Sequence, residues 1–357
     1  MENLEKFWKK KKVLITGHTG FKGSWLCIIL NFLNSKIYGY SLAPKKNSLF
    51  LKSGIKNYLA ANKYENINKL DKLEKFIKKT KPEIVFHLAA QPLVLDSYKN
   101  PLKTFTTNIL GTINLLEVIK KTKSVKSVVI ITTDKVYKIN KKEKAYSEND
   151  ELGGNDPYSS SKACAEVIIN SYVQSFFNKT SLRNKVATAR AGNVIGGGDF
   201  SKNRLVPDII SVINNKKRLL VRNPLQIRPW QHVLDPLMGY LLLAEKQYNN
   251  KIKVLNNCWN FGPNNKSCKK VIEIVNYVKK ITKFDYKIKI NNNYKETEIL
   301  KLDSFKARKL LGWITEWSIN DSLDKTIEWN NLIKKGMSAK YICEDQFLSY
   351  LKTKKTK

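Results

Sequence analysis

The run Gly17-His18-Thr19-Gly20-Phe21-Lys22-Gly23 leaves this chain the least freedom. It follows a short apolar run, Lys12 to Thr16, and precedes the apolar stretch Ser24 to Leu33, so it reads as a turn between a strand and a helix. Gly17, Gly20 and Gly23 let the backbone turn tightly and approach a pyrophosphate, with Thr19 and Phe21 inside the same turn. The helix start adds N–H donors and a positive dipole. The spacing is GxxGxxG rather than GxGxxG, and an ordinary glycine-rich turn has the same composition. The strand before and the helix after favour a dinucleotide site.

The remaining pattern continues that beginning. Strands are expected at Ile37 to Ser41, Glu83 to Ala89, Ser127 to Thr132 and Val186 to Arg190. Helices are expected at Leu70 to Lys79, Pro101 to Lys121 and Asp156 to Phe177. Apolar runs alternating with amphipathic helices define an α/β, Rossmann-type doubly wound parallel sheet. After about residue 195 loops lengthen and Pro and Gly recur. We expect a dinucleotide-binding domain over 1–190 and, over 191–340, a smaller substrate-binding lobe interleaved with it. Ligands of such sheets collect at the carboxyl ends of the strands.

Several function classes recede on composition. The formal net charge is +35 over 357 residues. The lysines are scattered beside Asn and Ile through nearly every segment, with no arginine-rich stripe, so a nucleic-acid partner is not expected. The excess suits attraction of an anionic nucleotide. No apolar run reaches membrane-spanning length, and the first residues read as the approach to a strand, so no membrane partner or signal peptide is expected. Five cysteines without CxxC spacing argue against a metal site or a disulfide framework and for a reducing, cytoplasmic setting.

The chemistry gathers in two strings. Tyr158 and Lys162 lie four apart on an expected helix and so share a face. An ammonium near a phenol favours the phenolate, which suits a base for a sugar hydroxyl. Thr133, Asp134 and Lys135 are expected at the end of a strand, where catalytic side chains project. Asp134 fits a general acid if burial or a hydrogen bond keeps its proton, and Thr133 fits a substrate hydroxyl. The alternative for Asp134 and Lys135 is a strand-end ion pair. Small residues in His87-Leu88-Ala89-Ala90-Gln91 allow close approach to a cofactor ribose, with His87 itself structural. Asn66, followed by Ile67, fits an adenine edge or a plain surface loop. Asn108 positions the site from a neighbouring helix. Where an acidic residue would hold the NAD ribose, the chain reads Ser41-Leu42-Ala43-Pro44-Lys45-Lys46, so that position does not decide between NAD and NADP.

These strings, with PYSSSKACAE, RAGNVIGGGDF, RLVPDII, RPWQHVLDPLMGYLLLAE, WNFGP and LKLD, resemble the extended short-chain dehydrogenase/reductases, and among them the nucleotide-sugar 4,6-dehydratases. The likeness runs from about Phe7 to Trp317 and is nearest the CDP-glucose type. The resemblance implies bound NAD, CDP-glucose as substrate, and a 4-keto-6-deoxy sugar as product, a step in deoxysugar supply for surface polysaccharide such as lipopolysaccharide O-antigen. It makes Tyr158 the base at O4, Asp134 the acid at the C6 hydroxyl, and Lys135, or another group, the base at C5. It assigns the cofactor to Gly17, Thr19, Gly20, Phe21, Gly23, Asn66, Ile67, Leu88, Ala89, Ala90, Asn108, Tyr158 and Lys162. It assigns the substrate to Gln91, Asn193, Arg204 and Arg228, with Trp230 and His232 either shaping the nucleotide pocket or, equally, packing a loop. Glu296 is a weaker match, and Asp303 is expected to cap a helix near Ser304. A homodimer or homotetramer pairing through the Pro101 and Asp156 helices is implied too.

Three rivals remain. A 4-epimerase needs Tyr158 but not Asp134 with Lys135. An inverting UDP-sugar 5-epimerase/4,6-dehydratase carries the Asp-Lys pair, but with its tyrosine much nearer in sequence. A basic nucleic-acid-binding protein on this fold is the reading from another class.

Overall fold

The computed structural model describes residues 2–139, 145–252, 257–289 and 299–355. Twelve strands are described: β1 (Lys12–Thr16), β2 (Lys36–Ser41), β3 (Ala61–Tyr64), β4 (Ile84–His87), β5 (Ser127–Ile131), β6 (Val186–Ala191), β7 (Asn193–Ile195), β8 (Arg218–Val221), β9 (Ile227–His232), β10 (Cys258–Phe261), β11 (Cys268–Lys270) and β12 (Asp285–Ile288). Seven form one parallel sheet in the order β10-β6-β5-β4-β1-β2-β3. Read from β3 to β6, this is the 3-2-1-4-5-6 order of dinucleotide-binding sheets.

Both faces of the sheet are covered, which is why β4 and β5 read as unbroken apolar runs. Alternate residues of β1 feed opposite cores: Val13 and Ile15 pack with the helices Phe21–Phe32, Leu234–Tyr248 and Ala339–Lys355. Leu14 packs on the other side with Leu70–Thr80, Gly111–Lys120 and Pro157–Tyr172. A third core around Trp230, Ile209 and Leu323 belongs to the smaller sheets β11-β9-β7 and β12-β8. Strand β10, although late in sequence, joins the main sheet beside β6.

Two local features differ from expectation. The helix after the glycine turn starts at Phe21, so Gly23 lies inside it. The segment expected as one helix over 101–121 is interrupted by a π-turn, Thr106–Leu110, which holds Asn108. Such turns re-aim side chains near functional sites. Asp134 lies at the expected strand end, in the single 3₁₀ turn Asp134–Val136 just beyond β5. Among the described residues, no helix is long and apolar enough to cross a membrane.

Candidate active site

The glycine turn is tight for a steric reason. Gly17 has φ +73°, and a Cβ there would stand 2.6 Å from the Ala89 nitrogen. A Cβ on Gly23 would run into the Gly17 carbonyl. Leu88 and Ala89 are pulled against the turn by N–H bonds to the Thr16 carbonyl (3.0 Å) and hydroxyl (3.3 Å). Thr19 donates to the Leu42 carbonyl at 3.0 Å and meets the Ser41 hydroxyl at 2.8 Å. Two hydroxyls thus stand at the end of β2, where an acidic residue was sought. Asn66 uses its side-chain oxygen to accept from the Asn68 N–H at 3.0 Å, closing a turn. Ile67 packs its side chain in the core, against Gly111.

Four residues converge at the carboxyl end of β5. Asp156 caps the next helix by accepting from the Ser159 N–H at 3.0 Å, and Pro157 starts it. That helix brings Tyr158 and Lys162 inward, both buried. Thr133 donates to Asp134 Oδ1 at 3.0 Å and lies close enough to the Tyr158 phenol to pull its pKa down. Burial raises the Asp134 carboxyl above its ordinary range, while Lys135, the Thr133 hydrogen bond and Arg228 pull it back. Asp134 Oδ2 meets no donor among the described residues. A protonated carboxylic acid suits such a place, as the sequence suggested.

The phenol corrects one expectation. Burial pushes Tyr158 up to about 12, and the groups that pull it down are Thr133 and Arg204. Lys162, itself lowered by burial to about 8, gives a hydrogen bond to the Ile131 carbonyl at 3.0 Å. The ammonium is a neighbour on the helix face, not a direct partner of the phenol.

Asn108 bridges two elements. It accepts from the Gln91 N–H at 2.8 Å and donates to the Gln91 carbonyl and the Ser161 hydroxyl. It therefore ties the loop after β4 to the Tyr158 helix. Gln91 spends its amide on Leu93 and Thr104, so it braces that loop rather than reaching for a ligand. His87 is fully enclosed, held by Thr16 and Thr112 at 2.7 and 3.3 Å, and burial lowers it to about 3, as fits a structural role.

The later residues divide. Arg204 bonds Asp199 at 3.0 Å and acts electrostatically on Tyr158. Arg228, buried on β9, acts on Asp134 and bonds Gln226 and the Ile227 carbonyl. Asn193 opens β7, paired in register with Trp230. Trp230 is core, its indole donating to the Lys269 carbonyl at 3.1 Å. His232 is core as well, with ring contacts to Trp317 and Trp25, so it does not face a nucleotide pocket. Asp303 accepts from the Phe305 N–H at 2.8 Å at the start of Phe305–Leu311, as expected. Glu296 lies outside the described residues.

Two residues were missed. Lys22, in the first turn of the helix Phe21–Phe32, is lowered to about 7 by burial and by the Arg204 and Lys162 cations, with Asp134 and Asp199 acting oppositely. A Cβ on Gly192 would stand 3.2 Å from Asp134 Oδ2 and 2.6 Å from the Pro229 ring, so only glycine fits there. The RAGNV string carried that signal.

A dinucleotide-type parallel sheet with a buried Tyr, Lys and acid at its carboxyl edge defines an extended short-chain dehydrogenase/reductase. More narrowly, the chain belongs to the GDP-mannose 4,6 dehydratase family, whose model matches residues 14–326. It is 42% identical over 336 residues to CDP-glucose 4,6-dehydratase of Salmonella typhimurium, covering 92% of this chain and 93% of that one. It is 25% identical to dTDP-glucose 4,6-dehydratase of Haemophilus influenzae, covering 89% and 97%. In fold it is similar to dTDP-glucose 4,6-dehydratase of Bacillus anthracis in complex with NAD, at TM-score 0.76, 23% identity, and 90% and 96% coverage.

Proposed function

We propose that this protein dehydrates CDP-glucose across C5 and C6, with bound NAD, to CDP-4-dehydro-6-deoxyglucose. The observation that carries the reading is the buried Asp134, its carboxyl raised by burial, set beside Thr133 and Tyr158. A 4-epimerase has no use for that acid. The 42% identity over 92% of the chain supports CDP-glucose as the substrate.

The glycine cradle, where a side chain on Gly17 would meet the Ala89 nitrogen, fits a dinucleotide pyrophosphate. We assign Gly17, Gly20 and Gly23 to that pyrophosphate, Thr19 and Ser41 to the adenosine ribose, and Lys162 with Asn108 to the nicotinamide end. When bound, NAD supplies the site that accepts a hydride from C4 and later returns one to C6. Tyr158 takes the O4 proton, and Thr133 holds the phenol toward it. The resulting ketone acidifies the C5 hydrogen. Asp134 gives its proton to the departing C6 hydroxyl, which leaves as water. The C5 proton is taken by a base, for which Lys135 beside Asp134 is our candidate, and a proton is returned to C5 as the hydride enters C6. Arg204 and Arg228 suit the diphosphate, because guanidinium forks match phosphate oxygens.

We further place the reaction in a reducing cytoplasm, feeding deoxysugars to surface polysaccharide, with a homodimer or homotetramer as the working form. The chain divides in function near residue 190, with residues 191–340 mainly serving the substrate. All five cysteines are free, in keeping with that setting. The test is a panel of CDP-, dTDP-, UDP- and GDP-glucose, read by the absorbance of 4-keto product in base. Product from CDP-glucose alone is expected. Product from another nucleotide instead reassigns the base, and a C4 epimer without ketone overturns dehydration.

A further inference from the structure

One turn beyond Lys162 on the same helix lies Glu166, buried, and the mechanism above does not use it. Its carboxylate is saturated. Oε1 accepts from Thr132 at 2.6 Å and from Arg190 Nε at 3.0 Å. Oε2 accepts from Thr188 at 2.7 Å and from the Arg190 terminal nitrogen at 3.0 Å. Arg190, on β6, is equally buried and reaches on to the Tyr137 hydroxyl at 2.8 Å. Tyr137 in turn donates to Asn260 on β10, so the clamp joins the Tyr158 helix to strands β6 and β10.

Glu166 and Lys162 are four apart, so the carboxylate lies on the ammonium's own helix face. The other charged or titratable groups facing Lys162 are His87 from β4 and Lys22 from the helix Phe21–Phe32, with Tyr158 on its own helix. His87 is neutral and Lys22 repels. Glu166 is therefore the anion that favours the charged form of Lys162 against burial. Arg190, paired to Glu166 at 3.0 Å, carries the opposite sign and so offsets part of that attraction.

We propose that Glu166 and Arg190 are positioning residues that fix the charge of Lys162, and so the pH range over which the site at the β5 edge works. This rests on the dehydratase reading. Lys162 as an ammonium offers its remaining donors to cofactor hydroxyls and adds a positive field beside Tyr158. Both are lost when it deprotonates, giving the alkaline limb of the rate profile.

A purely structural clamp and an electrostatic one differ in sign. Glu166→Gln removes the attraction and leaves Arg190 alone, so the alkaline limb of kcat/KM should move to lower pH by about one unit or more. Arg190→Gln leaves the carboxylate uncompensated, so the limb should move to higher pH. Glu166→Gln/Arg190→Gln removes both charges and leaves no lone buried ion, and should lower the limb by less than Glu166→Gln alone, because Arg190 cancelled only part of the attraction. The holoenzymes are assayed with CDP-glucose, and folding is followed by thermal melting. If Glu166→Gln fails to fold, the upward shift in Arg190→Gln and the downward shift of the double variant decide. Limbs that stay fixed, or that move the same way in both single variants, overturn the proposal. A parent enzyme that forms no 4-keto product instead sinks the dehydratase reading, so the two failures are distinguishable.

Discussion

Two buried carboxyls flank the carboxyl end of β5, and their surroundings drive them in opposite directions. Glu166 accepts four hydrogen bonds, two of them from Arg190, and is held below its ordinary range despite burial. Asp134 accepts one bond, from Thr133, and is raised by the same burial. Desolvation is common to both; the supply of donors is not. The first is an anchor that stays ionised. The second is pushed toward holding a proton beside Tyr158, which is what a leaving hydroxyl requires.

The largest effect should come from the proton-holding member. Asp134→Asn should lower kcat by about a hundred- to ten-thousand-fold, the usual value of a positioned general acid, while the melting temperature holds or rises because an ill-matched carboxyl has gone. Loss of folding instead would mean that Asp134 is an anchor too. Glu166→Ala should behave in reverse. It strands Arg190 in the interior, a loss of about 3–5 kcal/mol, measurable by denaturant melts. A stable Glu166→Ala protein would erase the contrast between the two sites.

How legible this contrast was depends on what each residue leans on. The sheet was legible because buried parallel strands such as Ser127–Ile131 are unbroken apolar runs, and because Gly17 and Gly23 admit no side chain. Tyr158, Lys162 and Asp134 were legible because one helix period and one strand end place them. His232 was left open between pocket and packing because its neighbours, Trp25 and Trp317, are far away in sequence and enclose it only after folding. Gln91 was misread for a similar reason, since its partner Thr104 lies across a loop. The pairing of Glu166 with Arg190 joins a helix to a strand, and no local spacing announces it.

Acid and base titration of stability sharpens the same comparison. Asp134 binds its proton more tightly folded than unfolded, where its ordinary value is 3.8, so its share of stability falls as pH rises from there through its folded value. Glu166 is lowered from 4.5, so its contribution is present above that value and is lost as pH falls through its folded one. Asp235, raised to about 7 by burial, adds to the alkaline decline, so difference curves against the parent are needed. Asp134→Asn should flatten part of the decline on the alkaline side. Glu166→Gln should flatten the acid side. Melting temperatures over about pH 3 to pH 9 would read both, and identical difference curves would refute the assignment of opposite states.

The smallest effects test the donors themselves. Thr188→Val removes one of four bonds to an ionised carboxylate and should cost about 1.5 kcal/mol of stability, with kcat nearly unchanged because Arg190 still holds Glu166 in place. Thr133→Val removes the one hydroxyl shared by Asp134 and Tyr158. Its cost in stability should be slight, since burial already biases the carboxyl toward its neutral form. Its cost in rate should be clear, because both the acid and the phenol lose a lowering partner, and activity should need a higher pH to return. Equal melting losses with equal rates in the two variants would show that hydrogen-bond supply does not separate the anchor from the acid.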